Sequence, residues 1–97
     1  MPGFRLTARA EADFDDIGAF TRENWGLSKA DTYLAELDAL FHRLAADPHL
    51  GRSRSDLRAG LQSWLSGRHV VFFRRYDNGD VEILLILHQS RDFDRHL

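Results

Sequence analysis

Gly67-Arg68-His69-Val70-Val71-Phe72-Phe73-Arg74, then Asp77-Asn78-Gly79-Asp80, then Val81-Glu82-Ile83-Leu84-Leu85-Ile86-Leu87-His88-Gln89-Ser90-Arg91-Asp92, is the stretch that decides the fold. Two runs rich in β-branched and aromatic residues flank an Asn-Gly pair, which tolerates the positive φ angles of a tight hairpin. Leu84-Leu85-Ile86-Leu87 is apolar at successive positions, so it faces a core on both sides and belongs to a central strand. The polar cluster His88-Gln89-Ser90-Arg91-Asp92 ends the strand. The strands are scaffold, and function belongs to the basic and polar groups at their ends.

Upstream, Leu61-Gln62-Ser63-Trp64-Leu65 reads as another strand, with Ser66-Gly67 as its turn. The glycine, serine and arginine content of residues 49–60 makes that stretch a loop. Near the start, Phe4-Arg5-Leu6 alternates as a short strand and Thr7 can cap a helix. Ala10, Phe14, Ile17 and Thr21 then form one helical stripe, over early turns rich in acids, until Gly26. Ser28-Lys29-Ala30-Asp31 resembles a capping box that opens a second helix. Its stripe is Ala30, Leu34, Leu37, Phe41 and Leu44, and Pro48 ends it. A turn of about four or five residues would join the two helices as an antiparallel hairpin. The expected fold is α+β: an N-terminal strand and a helical hairpin packed on a small antiparallel sheet, one domain over residues 1–97.

Composition narrows the function. The 97 residues include no cysteine, so disulfides and thiolate metal sites are excluded, and an intracellular setting fits. No stretch approaches the roughly 20 apolar residues that span a bilayer. The first residues lack a secretory signal, so a cytoplasmic location without membrane contact is expected. Asp13 and Asp16 lie one helical turn apart, but no histidine shares their helix, and no metal or other cofactor is expected.

The net charge of −2 is uneven. Residues 1–48 hold nine acids and five bases, while residues 49–97 hold eight bases and six acids. Six arginines (Arg52, Arg54, Arg58, Arg68, Arg74, Arg75) fall between positions 52 and 75 against the single acid Asp56. Any one of them alone would fit a solvated loop or strand face. Together they favour a surface for an anionic partner, nucleic acid or an acidic protein segment. The overall acidity speaks against a dedicated, sequence-specific nucleic-acid binder. Trp25 and Trp64 read as core or groove walls rather than as base-stacking platforms, and His42 as a residue of the second helix's outer face.

Several motifs in order resemble the RelE/ParE superfamily of bacterial toxins, and its ParE branch most. The family's Ala-x-x-Asp-Leu-x-x-Ile helix has a variant in Ala12-Asp13-Phe14-Asp15-Asp16-Ile17. Its Tyr-x-x-x-Leu helix is matched by Tyr33 and Leu37, and its Leu-Ala-x-x-Pro-x-x-Gly-Arg junction by Leu44 through Arg52. Asp56 through Leu61 follow Asp-Leu-Arg-x-Gly-Leu. Gly67, His69, Phe72 and Arg74 follow Gly-x-His-x-x-Phe-x-Arg, and Ile86 through Asp92 follow Ile-Leu-His-Gln-x-x-Asp.

The resemblance implies the toxin of a type II toxin–antitoxin system, neutralised by a cognate ParD-like antitoxin. ParE-like members poison DNA gyrase and have no known catalytic residues. RelE-like members instead cut messenger RNA in the ribosome, with an Arg/Lys cluster and a Tyr or His near the C-terminus. Lys29 is the only lysine and no tyrosine follows His88, which favours the inhibitor over the nuclease. His88 and His96 remain the residues that could serve as acid or base, and a non-toxic, antitoxin-binding relative is a third reading. An amphipathic antitoxin helix in an apolar groove, with acids meeting Arg52, Arg54, Arg58 and Arg74, is the expected neutralising contact. Phe93 and Leu97 would dock one last turn, leaving Arg91 and Arg95 together for the target.

Overall fold

The computed structural model describes residues 2–97. The element order is β1 (Phe4–Leu6), α1 (Ala8–Trp25), α2 (Leu27–Ala46), β2 (Arg52–Ser53), β3 (Gln62–Ser66), β4 (His69–Arg75), β5 (Val81–His88) and α3 (Phe93–His96). The five strands form one sheet in the order β1-β5-β4-β3-β2. The meander β3-β4-β5 is antiparallel as the hairpin pattern requires, and β5 is interior, between β4 and β1. β1 pairs with β5 in parallel, so the sheet is mixed rather than purely antiparallel. The loop of residues 49–60 contributes an unanticipated edge strand, β2, whose Arg52 and Ser53 pair with Ser63 and Gln62.

The two helices meet at one residue, not at a turn of several. Gly26 has φ of 93° and serves as the C-cap of α1 and the N-cap of α2 at once. Its N–H donates to the Arg22 carbonyl and its own carbonyl accepts from the Ala30 N–H. α2 therefore begins at Leu27, Ser28 falls inside its first turn, and the capping box at Ser28 does not form. The Asn78-Gly79 hairpin forms with a longer loop than a two-residue turn: Tyr76 N–H donates to the Asp80 carbonyl across it. Glycine alone takes a positive φ there, and Asn78 instead accepts the Asp80 N–H through its side chain.

The sheet is covered unequally on its two faces. On the helix side, Leu37, Leu40, Phe41 and Leu44 of α2 and Ala10 and Ile17 of α1 bury Val71, Phe73, Val81, Ile83 and Ile86. On the opposite side Leu61, Phe72, Leu85 and Leu87 are covered only by Leu57, Val70, Leu84, Phe93 and Leu97. β5 is thus covered on both faces, as its apolar run demands. A bulge between Phe72 and Phe73 places Leu85 opposite Phe72 and Ile83 opposite Phe73, so Leu84 has no cross-strand partner on β4.

β1 ends at Leu6, which leaves the outer edge of β5 beyond Ile83 without a strand. α1 completes it. Thr7 caps α1, donates its N–H to the Ile83 carbonyl and its hydroxyl to the Leu84 carbonyl at 2.7 Å. Asp13 Oδ2 accepts the Ile86 N–H at 3.0 Å, while Arg9 donates to the same carboxylate. Asp13 is a latch between helix and sheet. Asp13→Ala leaves the part-buried Ile86 N–H without a partner and should cost about 1–3 kcal/mol in urea unfolding. A variant as stable as the parent would remove the latch from the account.

Candidate arginine-rimmed sheet face

Register assigns the arginines to faces. Arg52 lies opposite Ser63, which lies opposite Phe72, so these side chains share the face away from the helices. Arg74 follows Phe72 by two on β4 and takes the same face, cross-strand from Glu82. Arg54 sets its guanidinium 6.0 Å from the Phe72 ring centre and 5.5 Å from that of Phe93. Arg58 donates to the Leu97 carbonyl at 2.8 Å. The four arginines expected to meet an acidic partner therefore surround one face. A shallow depression of about 430 Å³ opens there between Arg52, Arg54, Leu65, Val70 and Phe93. Leu65, 55% exposed, supplies apolar surface to it.

These arginines are not equivalent. Arg54 is tied to Asp56 at 3.3 Å, and Arg54 and Arg58 together hold α3 and Leu97 against the sheet. Arg52 and Arg74 are exposed, and neither makes an ion pair among the described residues. Arg75, which charge counting had grouped with them, points to the helix side. It donates to the carbonyls of Leu44, Asp47 and Leu50 and so closes the end of α2. Its Nε is buried without a partner.

The last turn docks as expected: Phe93 packs edge-on to Phe72 at 5.1 Å, and Leu97 joins the same cluster. Arg91 and Arg95 are both exposed but do not border one cleft. Arg91 lines a depression with Arg9, Asp13, Asp16, Phe20, His88 and His96, whereas Arg95 stands 3.8 Å from Asp92. Trp64 is half-buried against the helix-side core, but Trp25 is 66% exposed, a groove wall and not core.

Sequence reasoning missed a polar network at the open ends of β4 and β5. Tyr33 of α2 inserts its hydroxyl into the β3–β4 turn, where Gly67 leaves room: a Cβ at Gly67 would stand 2.7 Å from Tyr33 Cε1. The hydroxyl accepts the Arg68 N–H, donates to the Ser66 carbonyl and contacts His69 Nδ1 at 2.6 Å. Burial pushes the Tyr33 phenol up from its ordinary value, so it keeps its proton. Burial, then the nearby His88, holds His69 below its ordinary value of 6.5. The two histidines are cross-strand partners with rings 5.4 Å apart.

The fold is that of known toxin–antitoxin proteins. A chain of a structure titled "Chromosomal ParDE TA system from P. aeruginosa" superposes with a TM-score of 0.75 over 91% of this chain and 96% of that one, at 21% identity. A chain from the RelBE2 toxin–antitoxin complex of Mycobacterium tuberculosis gives 0.68 over 93% of each, at 22% identity. The family model of the "ParE toxin of type II toxin-antitoxin system, parDE" matches residues 4–93. Toxin ParE1 of Caulobacter vibrioides is 41% identical over 97 residues, covering 100% of this chain and 99% of that protein. Toxin ParE1 of M. tuberculosis is 34% identical over 94 residues, covering 97% and 96%. The chain belongs to the ParE toxin family of type II toxin–antitoxin systems.

A histidine whose folded value lies below its unfolded value stays neutral in the fold, so the unfolded chain binds protons more strongly in between. The contribution to stability is full above the ordinary value of 6.5 and is lost as pH falls through the folded value. Melting temperatures measured across the acid range should therefore fall more steeply for the parent than for His69→Asn. Identical pH profiles would show that His69 titrates alike in both states.

Proposed function

We propose that this ParE-family toxin is silenced by a ParD-like antitoxin bound across the arginine-rimmed sheet face. The observation that carries this reading is the gathering of Arg52, Arg54, Arg58 and Arg74 around a face whose apolar residues have only a thin cover. An amphipathic segment can lay its apolar side on Leu65, Val70 and the Phe72 cluster and its carboxylates on the rim. The similarity to chains from ParDE and RelBE2 structures supports a partner of this class. Arg52 and Arg74, exposed and without an ion pair, are the first contacts. Arg54 and Arg58 must exchange their own partners, Asp56 and Leu97, for the antitoxin's acids.

Released from the antitoxin, the toxin acts in the cytoplasm as an inhibitor of DNA gyrase rather than as a nuclease, with Arg91 and Arg95 contributing to the target contact. An arginine fork can engage carboxylate or phosphate with two parallel hydrogen bonds, as a lysine cannot.

Two measurements test this. The double variant Arg52→Ala, Arg74→Ala should bind the antitoxin with lower affinity and a weaker salt dependence at an unchanged melting temperature. Equal affinity and equal salt slope would place the antitoxin elsewhere. Purified toxin should inhibit gyrase supercoiling and leave transcripts uncut in expressing cells. Codon-phased cuts that vanish in Arg91→Ala would replace this reading with ribosome-dependent cleavage of messenger RNA.

A further inference from the structure

On the helix side of the sheet, away from the arginine-rimmed face, the tip of the helical hairpin and the β3–β4 turn enclose a groove of about 510 Å³. That volume lies in the range of small-molecule sites. One wall is aromatic: Phe20 and Trp25 of α1, 63% and 66% exposed, and Tyr33 of α2. The other carries Arg68, His69 and His88, and Lys29 stands at the mouth of the hairpin. No carboxylate borders the groove among the described residues, although the chain as a whole is acidic.

Both imidazoles are held through Nδ1. His69 Nδ1 lies 2.6 Å from the Tyr33 hydroxyl, which ties the ring to α2. His88 Nδ1 accepts the Ser90 backbone N–H at 3.1 Å, so its proton sits on Nε2, which is a donor. Neither Nε2 has a protein partner, and the only buried unpartnered side-chain polar atom among the described residues is Arg75 Nε. Both Nε2 atoms are therefore free to meet a ligand, on rings 5.4 Å apart and nearly perpendicular.

We propose that this groove is a binding site for a mononucleotide-class ligand: a flat heterocycle carrying one phosphate. The exposed aromatic faces offer stacking to a ring, and Arg68 and Lys29 offer charge to the phosphate. The two imidazole Nε2 atoms without protein partners are available to polar atoms on the ring's edge. Beyond Phe20, His69 and His88 the surface continues into a depression where Asp13 and Asp16 are matched by Arg9 and Arg91. It offers no excess positive charge to a second phosphate, which favours a single nucleotide over a strand. This inference does not rest on the antitoxin reading and uses none of the residues assigned to it.

The test is saturation-transfer NMR and equilibrium dialysis of the full chain with AMP, inorganic phosphate, ribose 5-phosphate, a short oligothymidylate and an acidic peptide. AMP should bind saturably at millimolar concentration. Trp25→Ala and Arg68→Ala should each weaken it about tenfold, and ribose 5-phosphate should bind about tenfold more weakly than AMP, because it lacks the ring. Both side chains are exposed, so the variants should melt with the parent, and Arg74→Ala should leave the affinity unchanged. The proposal is overturned by no saturable AMP binding, by inorganic phosphate binding as well as AMP, by affinity indifferent to Trp25 and Arg68, or by binding of the oligonucleotide or the peptide alone.

Discussion

β5 is apolar on both faces and unpaired along part of one edge, and most of the structure answers to those two facts. An interior strand of this kind needs a cover on each side and a partner for every edge group. The helical hairpin supplies one cover with Leu37, Phe41 and Leu44. Thr7 and Asp13 supply the missing edge bonds where β1 ends. The second cover is Leu57, Phe93 and Leu97, residues of loops and a single turn. A four-residue helix has no stability of its own, so this cover stays in place only through side-chain contacts. The imbalance leaves the arginine-rimmed face with the slighter of the two covers.

The arginines divide by what each touches. Arg75 is consumed inside the fold, closing the carboxyl end of α2 with three backbone carbonyls. Arg54 and Arg58 hold the lid, through the Phe93 ring and the Leu97 carbonyl. Arg52 and Arg74 stay in solvent and make no ion pair among the described residues. A rim charge in water adds little to stability, so exposed arginines without ion pairs contribute little to folding. Within one cluster, the same residue type stands in three settings, separated by what each guanidinium touches.

Much of the fold was legible. The strand runs, the apolar double face of Leu84 to Leu87 and the stripes of α1 and α2 are local periodicities, and local periodicity survives into the structure. The open-face arginines were legible as a charge excess, although the excess also swept in Arg75. What was hidden depends on contacts across most of the chain. Thr7 and Asp13 reach β5 over separations of 77 and 73 residues, and nothing near them in sequence announces it. The parallel pairing of β1 has the same origin, and the Tyr33–His69 contact spans 36 residues. The edge strand β2 lies close to its partner in sequence, but two residues are too few to show a periodicity. The single-residue corner at Gly26 was missed for a different reason: a plausible cap at Ser28 competed with a glycine that could do the work alone. Trp25 was legible only as core or groove wall, and its place at the end of α1 makes it the latter.

Hydrogen exchange of the toxin, free and in complex with its antitoxin, distinguishes the proposed seat on the open face from one on the helices. Binding at the open face gives new protection at residues 52–61 and 91–97, with the outer surfaces of α1 and α2 exchanging as in the free protein. Protection confined to α1 and α2, with 52–61 unchanged, would contradict it.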